Sequence, residues 1–518
     1  MGEGANTAPA GKRTQSIVSN TIIRGVAQGV SVIASFVLLP FLVRAFTLGD
    51  YGVFMLAAAV TSYAALLDFG VGNTLIRLVA DRLARHEDNR VGAVVASAGL
   101  FYAGVGVLAA ILMAGIAVFG GSLFAVQPAQ ANLLRQLLLI GAAVQLVYWP
   151  ASAAAHALAG YERYDLLSGV SMVQTVAGVL AIVAVLVLRL GPVALALINA
   201  GITLVVSLAN LVLLARVASV RMGSLRPQYA LVVEVIRGGL PLFALQMSAL
   251  LGRQTTDRII LGVFLGAEAV GIYEVAAKLC LLVTQASDLL SGAILPVASN
   301  MNAREHVDSL RALFIRGARY AVVAIAPIVV VLVFIAGPFI RAWFGASMNS
   351  AVPVAQVLLA AQLLIPLYLI GDPILIGMNR FSRWVGGAFS VAVLNVVLSI
   401  VFVKAFGLVG VAVATLVANL VEFPLYARLA TRELDITLWA WLKEASFPGY
   451  VLLIVPAAVA LVGGASVLGG SLLTLLVVAL AALLSYWGLA WSLALPGWER
   501  EELVGVVRAM LRRSEPAE

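Results

Sequence analysis

The 518-residue chain is 62% hydrophobic and only 11% charged, with a mean hydropathy of +1.05. Those values exclude a water-soluble globular domain as the main architecture. The formal net charge of +8 is scattered through short loops without a basic run or an aromatic stacking platform, so it does not mark a nucleic-acid surface.

Residues 1–16 are polar, carry Lys12 and Arg13, and read as a disordered cytoplasmic tail. The apolar segment that follows runs to about Phe46, too long for a cleaved signal segment, and is expected to stay as the first span. From there the predicted spans are 17–45, 51–76, 92–119, 133–158, 167–188, 193–216, 238–264, 269–297, 319–343, 353–377, 384–404, 409–428, 448–468 and 471–495. Each is long enough to cross about 30 Å of hydrocarbon at 1.5 Å per residue. The runs are continuously apolar rather than alternating, which predicts helices and excludes a β-barrel. An all-α integral membrane protein with 14 transmembrane helices is therefore expected.

With the N-terminus inside, the inner segments hold 24 Lys and Arg against five in the outer loops, Arg44, Arg135, Arg189, Arg341 and Lys404. The excess of positive charge places both termini in the cytoplasm.

The polar loop 217–237 separates two stretches that repeat. Leu48-Gly49 matches Leu265-Gly266, and GYERY from Gly160 matches GMNRF from Gly377, both at an offset of 217; Gly191 matches Gly407 at 216. A near-constant offset predicts a duplicated unit. Six spans per copy is an even number, so both copies enter from one side and should be related by a pseudo-twofold axis along the membrane normal. The expected organisation is an N-lobe over 17–216, a C-lobe over 238–428, a C-terminal pair over 448–495, and an interfacial helix and tail over 496–518. Two such lobes facing one cavity suit alternating access.

Charges inside the spans are costly and survive where they face a cavity or a partner. Arg24, Gln28, Ser31 and Ser35 form one stripe on the first span. Gln246, Arg253 and Asp257, with Arg258 adjacent, do so on the seventh, and Glu274, Lys278, Gln285 and Asp288 on the eighth. Arg253 with Asp257 and Glu274 with Lys278 also have the spacing of internal i,i+4 pairs. As a set, four cations face Asp257 and Glu274, and the surplus predicts an anion-binding lumen. A diphosphate fits, because the Arg fork matches phosphate oxygens and Lys adds a point charge. Arg24, Arg253, Arg258 and Lys278 are the expected diphosphate-binding set.

Asp68, Asp257, Glu274, Asp288, Asp372 and Glu422 are candidates for proton or sodium coupling. His156 reads as an interface residue rather than a proton relay. No P-loop, HExxH or Cys/His cluster is present, so a transporter rather than an enzyme is expected, with no cofactor. The single cysteine, Cys280, excludes an intramolecular disulfide.

Three segments carry a family resemblance: LLPFLVRAFTLGDYGVF from Leu38, LLDFGVGNTLIR from Leu66, and TTDRIILGVFLGAEAVGIYEVAAKL from Thr255. They resemble polysaccharide flippases of the multidrug/oligosaccharidyl-lipid/polysaccharide exporter superfamily. The resemblance implies two six-helix lobes, a cationic lumen and an undecaprenyl-diphosphate-linked glycan as cargo, for O-antigen, capsule or exopolysaccharide assembly at a bacterial inner membrane. It also implies that the extra pair at 448–495 borders a groove for the lipid tail. Polymerase or glycosyltransferase partners would fit the same setting. A cation-coupled drug or metabolite antiporter of the same superfamily is the first alternative. A peptidoglycan lipid II flippase is the second, and the absence of an Arg-Asp pair at the start of the first span, where Gly25 follows Arg24, lowers it. A membrane-embedded glycan polymerase or ligase would require a larger outer loop than these spans leave.

Overall fold

The computed structural model describes residues 36–218, 225–251, 254–303, 307–445 and 472–494, together with 497, 500 and 501. Every regular element among the described residues is helical. In order, these are α1 (Phe36–Phe46), α2 (Leu48–Tyr63), α3 (Val71–Ala84), α4 (Asp88–Leu123), α5 (Pro128–Gly160), α6 (Tyr164–Val187) and α7 (Pro192–Val217). Then come α8 (Tyr229–Leu251), α9 (Gln254–Phe264), α10 (Ala267–Ala303), α11 (Val307–Phe344), α12 (Ala351–Gln362), α13 (Ile365–Tyr368) and α14 (Gly371–Gly377). The last are α15 (Ser382–Glu433), α16 (Leu438–Glu444) and α17 (Leu472–Leu489). Eight of the described helices are long and apolar enough to span a membrane, so the chain is a multi-pass membrane protein. The N-terminal tail, residues 17–35 of span one, span thirteen and all of the C-terminal interfacial segment but residues 497, 500 and 501 lie outside the described residues.

Several expected spans are interrupted, each for a local reason. The second breaks between α2 and α3, where Phe69 (φ 48°) and Gly70 (φ 73°) are both left-handed and a right-handed helix cannot continue. The tenth is divided into α12, α13 and α14, with Pro366 and Pro373 in the first turns of the latter two, where a missing N–H does least harm. Spans eleven and twelve both lie in α15, which reverses at Gly407 (φ 59°). A straight helix would hold residues 402 and 410 about 12 Å apart at 1.5 Å per residue. Instead, a Cβ on Gly410 would overlap the Phe402 carbonyl, so the two limbs are in backbone contact.

One landmark of the sequence repeat, GYERY against GMNRF, has the same backbone closure in both places. At the end of α5, Tyr161, Glu162 and Arg163 donate to the Ala157, Ala159 and Leu158 carbonyls; at the end of α14, Met378, Asn379 and Arg380 donate to Ile374, Ile376 and Leu375. Every one of these atoms has its counterpart 217 residues on. Both ends are Schellman closures, with Glu162 (φ 58°) and Asn379 (φ 56°) in the left-handed position that favours glycine. Glu162→Gly is therefore expected to raise stability by about 0.5–1 kcal/mol and Asn379→Gly by less, because Asn tolerates that conformation better. Thermal unfolding of the purified protein checks this.

The chain forms two compact units, residues 1–274 and 275–518. This division falls later than the polar loop at 217–237, because α8 packs on α3 and α4, α9 packs on α2, and the first turn of α10 meets α2 at Gly52. In the first unit Val71, Leu75, Val91, Tyr102, Trp149 and Leu158 build the core, and the Gly239 and Gly70 backbones meet without side chains between them. In the second unit Phe314 stacks on Trp441 at 5.2 Å beside Trp384 and Tyr426. Arg380 and Arg383 both reach the buried Glu433 carboxylate, at 3.1 and 2.5 Å, and tie the α14–α15 turn to the end of α15. In the α3–α4 loop Arg82 donates to Glu87 at 2.8 Å and holds that carboxyl below its ordinary range. Outward-facing Leu180, Val187, Val205 and Leu208 are exposed, as lipid-facing positions are expected to be.

Candidate functional site

A polar layer links α2, α9 and α10 inside the first unit. The turn at Leu265–Gly266, where Gly266 has φ 85°, folds α9 back on α10 and brings residues 256–258 beside 273–274. Arg258 reaches Glu274 at 2.8 Å; its side chain is 22% exposed and that of Glu274 only 2%. Next to this pair the Tyr273 hydroxyl donates to Asp257, itself 2% exposed. From α2, the Tyr63 hydroxyl shares a 2.5 Å hydrogen bond with Thr256, and the buried Tyr51 ring lies in the field of both Glu274 and Arg258.

This arrangement changes the expected charge balance. Arg258 meets the Glu274 carboxylate across the turn between α9 and α10, whereas Lys278 lies further along α10, in the second unit. Arg24, Gln28 and Arg253 lie outside the described residues. One bond to Glu274 leaves most of the guanidinium's five donors uncommitted, and its buried Nε has no hydrogen-bond partner in the structure. The geometry presents a fixed fork, held by a carboxylate, that can take an anion on its remaining edge.

The other acidic candidates are dispersed. Asp68, at the break between α2 and α3, accepts from the Tyr102 hydroxyl at 2.6 Å and from the Gly72 N–H at 3.3 Å. Tyr102 stacks between Trp149 and His156, at 5.6 and 5.9 Å, so His156 is a packed interior residue rather than a solitary one. In the second unit Asp372 is half-buried beside the Tyr426 hydroxyl, with Glu422 nearby on α15. Asp288 is exposed on α10. Sequence reasoning missed the phenols Tyr51, Tyr63, Tyr102, Tyr273 and Tyr426, although a tyrosine inside an apolar span needs a partner for its hydroxyl, and that was the available signal. Tyr102→Phe removes a bond to a carboxylate and should cost on the order of 1.5–3 kcal/mol in thermal unfolding. No change in unfolding temperature would contradict that role for Asp68.

Comparison with known proteins places this layer in a family. Residues 17–302, more than half of the chain, match the model for polysaccharide biosynthesis proteins. The chain belongs to that family. A probable flippase from Haloferax volcanii, AglR, is 27% identical over 166 residues, which cover 31% of this chain and 34% of that one. The chain thus matches about a third of the length of this curated relative. Among solved structures, the lipid II flippase MurJ in an inward closed conformation superposes with a TM-score of 0.70 at 13% identity, covering 91% of this chain and 98% of that one. An inward-facing multidrug MATE transporter gives 0.63 at 15% identity over 81% and 95%. A transporter of the same superfamily from Pyrococcus furiosus gives 0.56 at 15% over 82% and 96%. At these identities the likeness establishes the fold, which this family member shares with flippases and drug exporters. The matched segment contains α2, α9 and the Arg258–Glu274 pair.

Proposed function

We propose that the chain is a flippase that carries a polyprenyl-diphosphate-linked oligosaccharide from the cytoplasmic to the outer leaflet of a bacterial inner membrane. The observation that carries this reading is the family match over residues 17–302 on a fold shared with flippases. Both termini are cytoplasmic, and the two duplicated six-span lobes alternate access to a site between them, with 448–495 bordering the lipid tail. Arg24, Arg253, Arg258 and Lys278 hold the diphosphate. The Arg258–Glu274 pair supports this role, since a guanidinium already oriented by a carboxylate loses less freedom when it takes a phosphate. Asp257 and Glu274 in the same layer, and Asp68, Asp288, Asp372 and Glu422 elsewhere, are the groups through which a proton or sodium gradient drives the cycle.

The exported unit feeds O-antigen, capsule or exopolysaccharide assembly, with a polymerase and glycosyltransferases as partners. A cation-coupled antiporter is the second reading, favoured by the likeness to a MATE transporter.

Genetic replacement tests the reading. Cells lacking the chain should accumulate diphosphate-linked oligosaccharide on the cytoplasmic leaflet. Single Ala variants at the four basic positions should restore surface glycan at least tenfold less well than the parent at equal protein abundance. Full complementation by all four variants would remove the diphosphate assignment.

A further inference from the structure

A second hollow lies apart from the charged layer, wholly within the first unit. It has a volume of about 340 Å³ and lies between α2, α5 and α7. On the orientation given by the positive-inside charges it occupies the outer half of the membrane. Small residues make the space: Ala58 on α2, Gly141 on α5, and Ala196 and Ala200 on α7 leave a void where larger side chains would fill the gap between helices. Polar side chains from all three helices then converge on it, namely Thr61, Ser62, Gln145, Asn199 and Thr203. Among the described residues its wall contains no charged side chain, so these residues supply no counter-charge for a diphosphate or an organic cation.

The hydrogen bonds define what a guest must supply. Thr61 donates to the Ala57 carbonyl at 2.8 Å, Ser62 to Ala59 at 2.7 Å and Thr203 to Asn199 at 2.9 Å. With the hydroxyl protons committed to their own helices, these oxygens offer acceptor lone pairs. Gln145 directs one amide N–H at the Met113 sulfur at 3.8 Å and keeps its second N–H and its carbonyl, a donor and an acceptor. Phe54, Leu137 and Val144 supply an apolar wall. A largely apolar wall on which neutral donors and acceptors from three helices converge suits a guest that carries both hydroxyls and C–H faces.

We propose that this cavity binds uncharged sugar residues of the cargo glycan, separately from the site that holds its diphosphate. The inference rests on the flippase reading and adds a glycan subsite to it.

A single-cysteine protection assay tests it. Cys280 is the sole native cysteine and is fully buried, so Asn199→Cys gives one reactive thiol in the cavity. The full-length protein in nanodiscs is labelled with N-ethylmaleimide in the presence of three probes. These are the intact lipid-linked oligosaccharide from the producing cells, the free oligosaccharide released from it by mild acid, and polyprenyl phosphate. The free oligosaccharide is expected to slow labelling at least tenfold, as the intact molecule does, while polyprenyl phosphate leaves the rate unchanged. Gln145→Leu in the same background should raise the concentration of free oligosaccharide needed for protection at least tenfold. Protection by polyprenyl phosphate alone would make the cavity a lipid-tail site and overturn the proposal, and so would an unchanged rate with every probe. Flipping of the intact molecule by the parent protein is measured in parallel. Flipping without protection by the sugar removes only the cavity assignment, whereas absent flipping removes the flippase reading itself.

Discussion

Replacing Arg258 with Ala is expected to destabilise the folded protein by about 3–5 kcal/mol, because the change removes the Arg258 charge that sits 2.8 Å from the buried Glu274 carboxylate. The same carboxylate, at 2% exposure, has almost no route to water. Removing both partners should behave differently. Arg258→Met with Glu274→Leu replaces a buried pair by apolar groups of similar volume, and such exchanges are often neutral or stabilising. The double variant should therefore unfold near the parent temperature and still fail to flip cargo, since the fork proposed to hold the diphosphate is gone. Arg258→Lys keeps the charge and loses the planar fork, so it should fold better than Arg258→Ala while transporting poorly. Thermal unfolding and flipping, measured on the same preparations, separate the two roles. A single Ala variant that unfolds within about 0.5 kcal/mol of the parent, the range of an ordinary surface change, would show that the pair is not what holds Glu274.

The second large effect is expected at Gly52. A Cβ there would overlap the Ala267 carbonyl oxygen, a backbone atom that cannot turn aside as a side chain can. The N-terminal end of α2 therefore rests directly on the first turn of α10. Gly52→Ala forces that contact apart at a cost of about 1–3 kcal/mol, typical of overpacking. If the contact closes once per transport cycle, the substitution shifts the balance away from the closed form by roughly five- to 150-fold, at about 1.4 kcal/mol per factor of ten. Flipping should fall by at least tenfold, and amide hydrogen exchange over residues 265–274 should speed up. Gly99→Ala is the control, because its Cβ would meet nothing within 4 Å, and it should transport normally. Equal flipping by both variants would mean that the contact between α2 and α10 does not open and close during transport.

Much of this architecture was legible in the chain because bilayer thickness and helix rise turn apolar run length into span length. One landmark of the repeat was legible too. An offset of 217 between GYERY and GMNRF reappears as the same backbone hydrogen bonds at the ends of α5 and α14. Spacing along one helix identified Asp257, Arg258 and Glu274 as exceptional, yet it pointed to partners on the same helix. The partner of Arg258 came from the next helix, because the turn at Gly266 folds α9 against α10. Tertiary placement also decided the phenol partners of Asp68 and Asp257, which no periodicity predicts. The break at Phe69 was hidden for another reason, since a phenylalanine in the left-handed region has no sequence signal. The compact-unit boundary after Glu274 was invisible in the same way, because close approach of Gly52, Gly70 and Gly239 to neighbouring backbones depends on helices far apart in sequence.

Lipid-linked sugar translocation by the purified chain is the most direct measurement. Liposomes containing the protein and a fluorescent polyprenyl-diphosphate oligosaccharide are treated with an impermeant quencher. The account predicts protein-dependent exposure of the inner-leaflet fluorophore, competed by unlabelled diphosphate-linked glycan and lost in the Arg258→Met, Glu274→Leu variant. Liposomes that expose no diphosphate-linked glycan, yet expel an organic cation against a proton or sodium gradient, would contradict it and make the chain an antiporter.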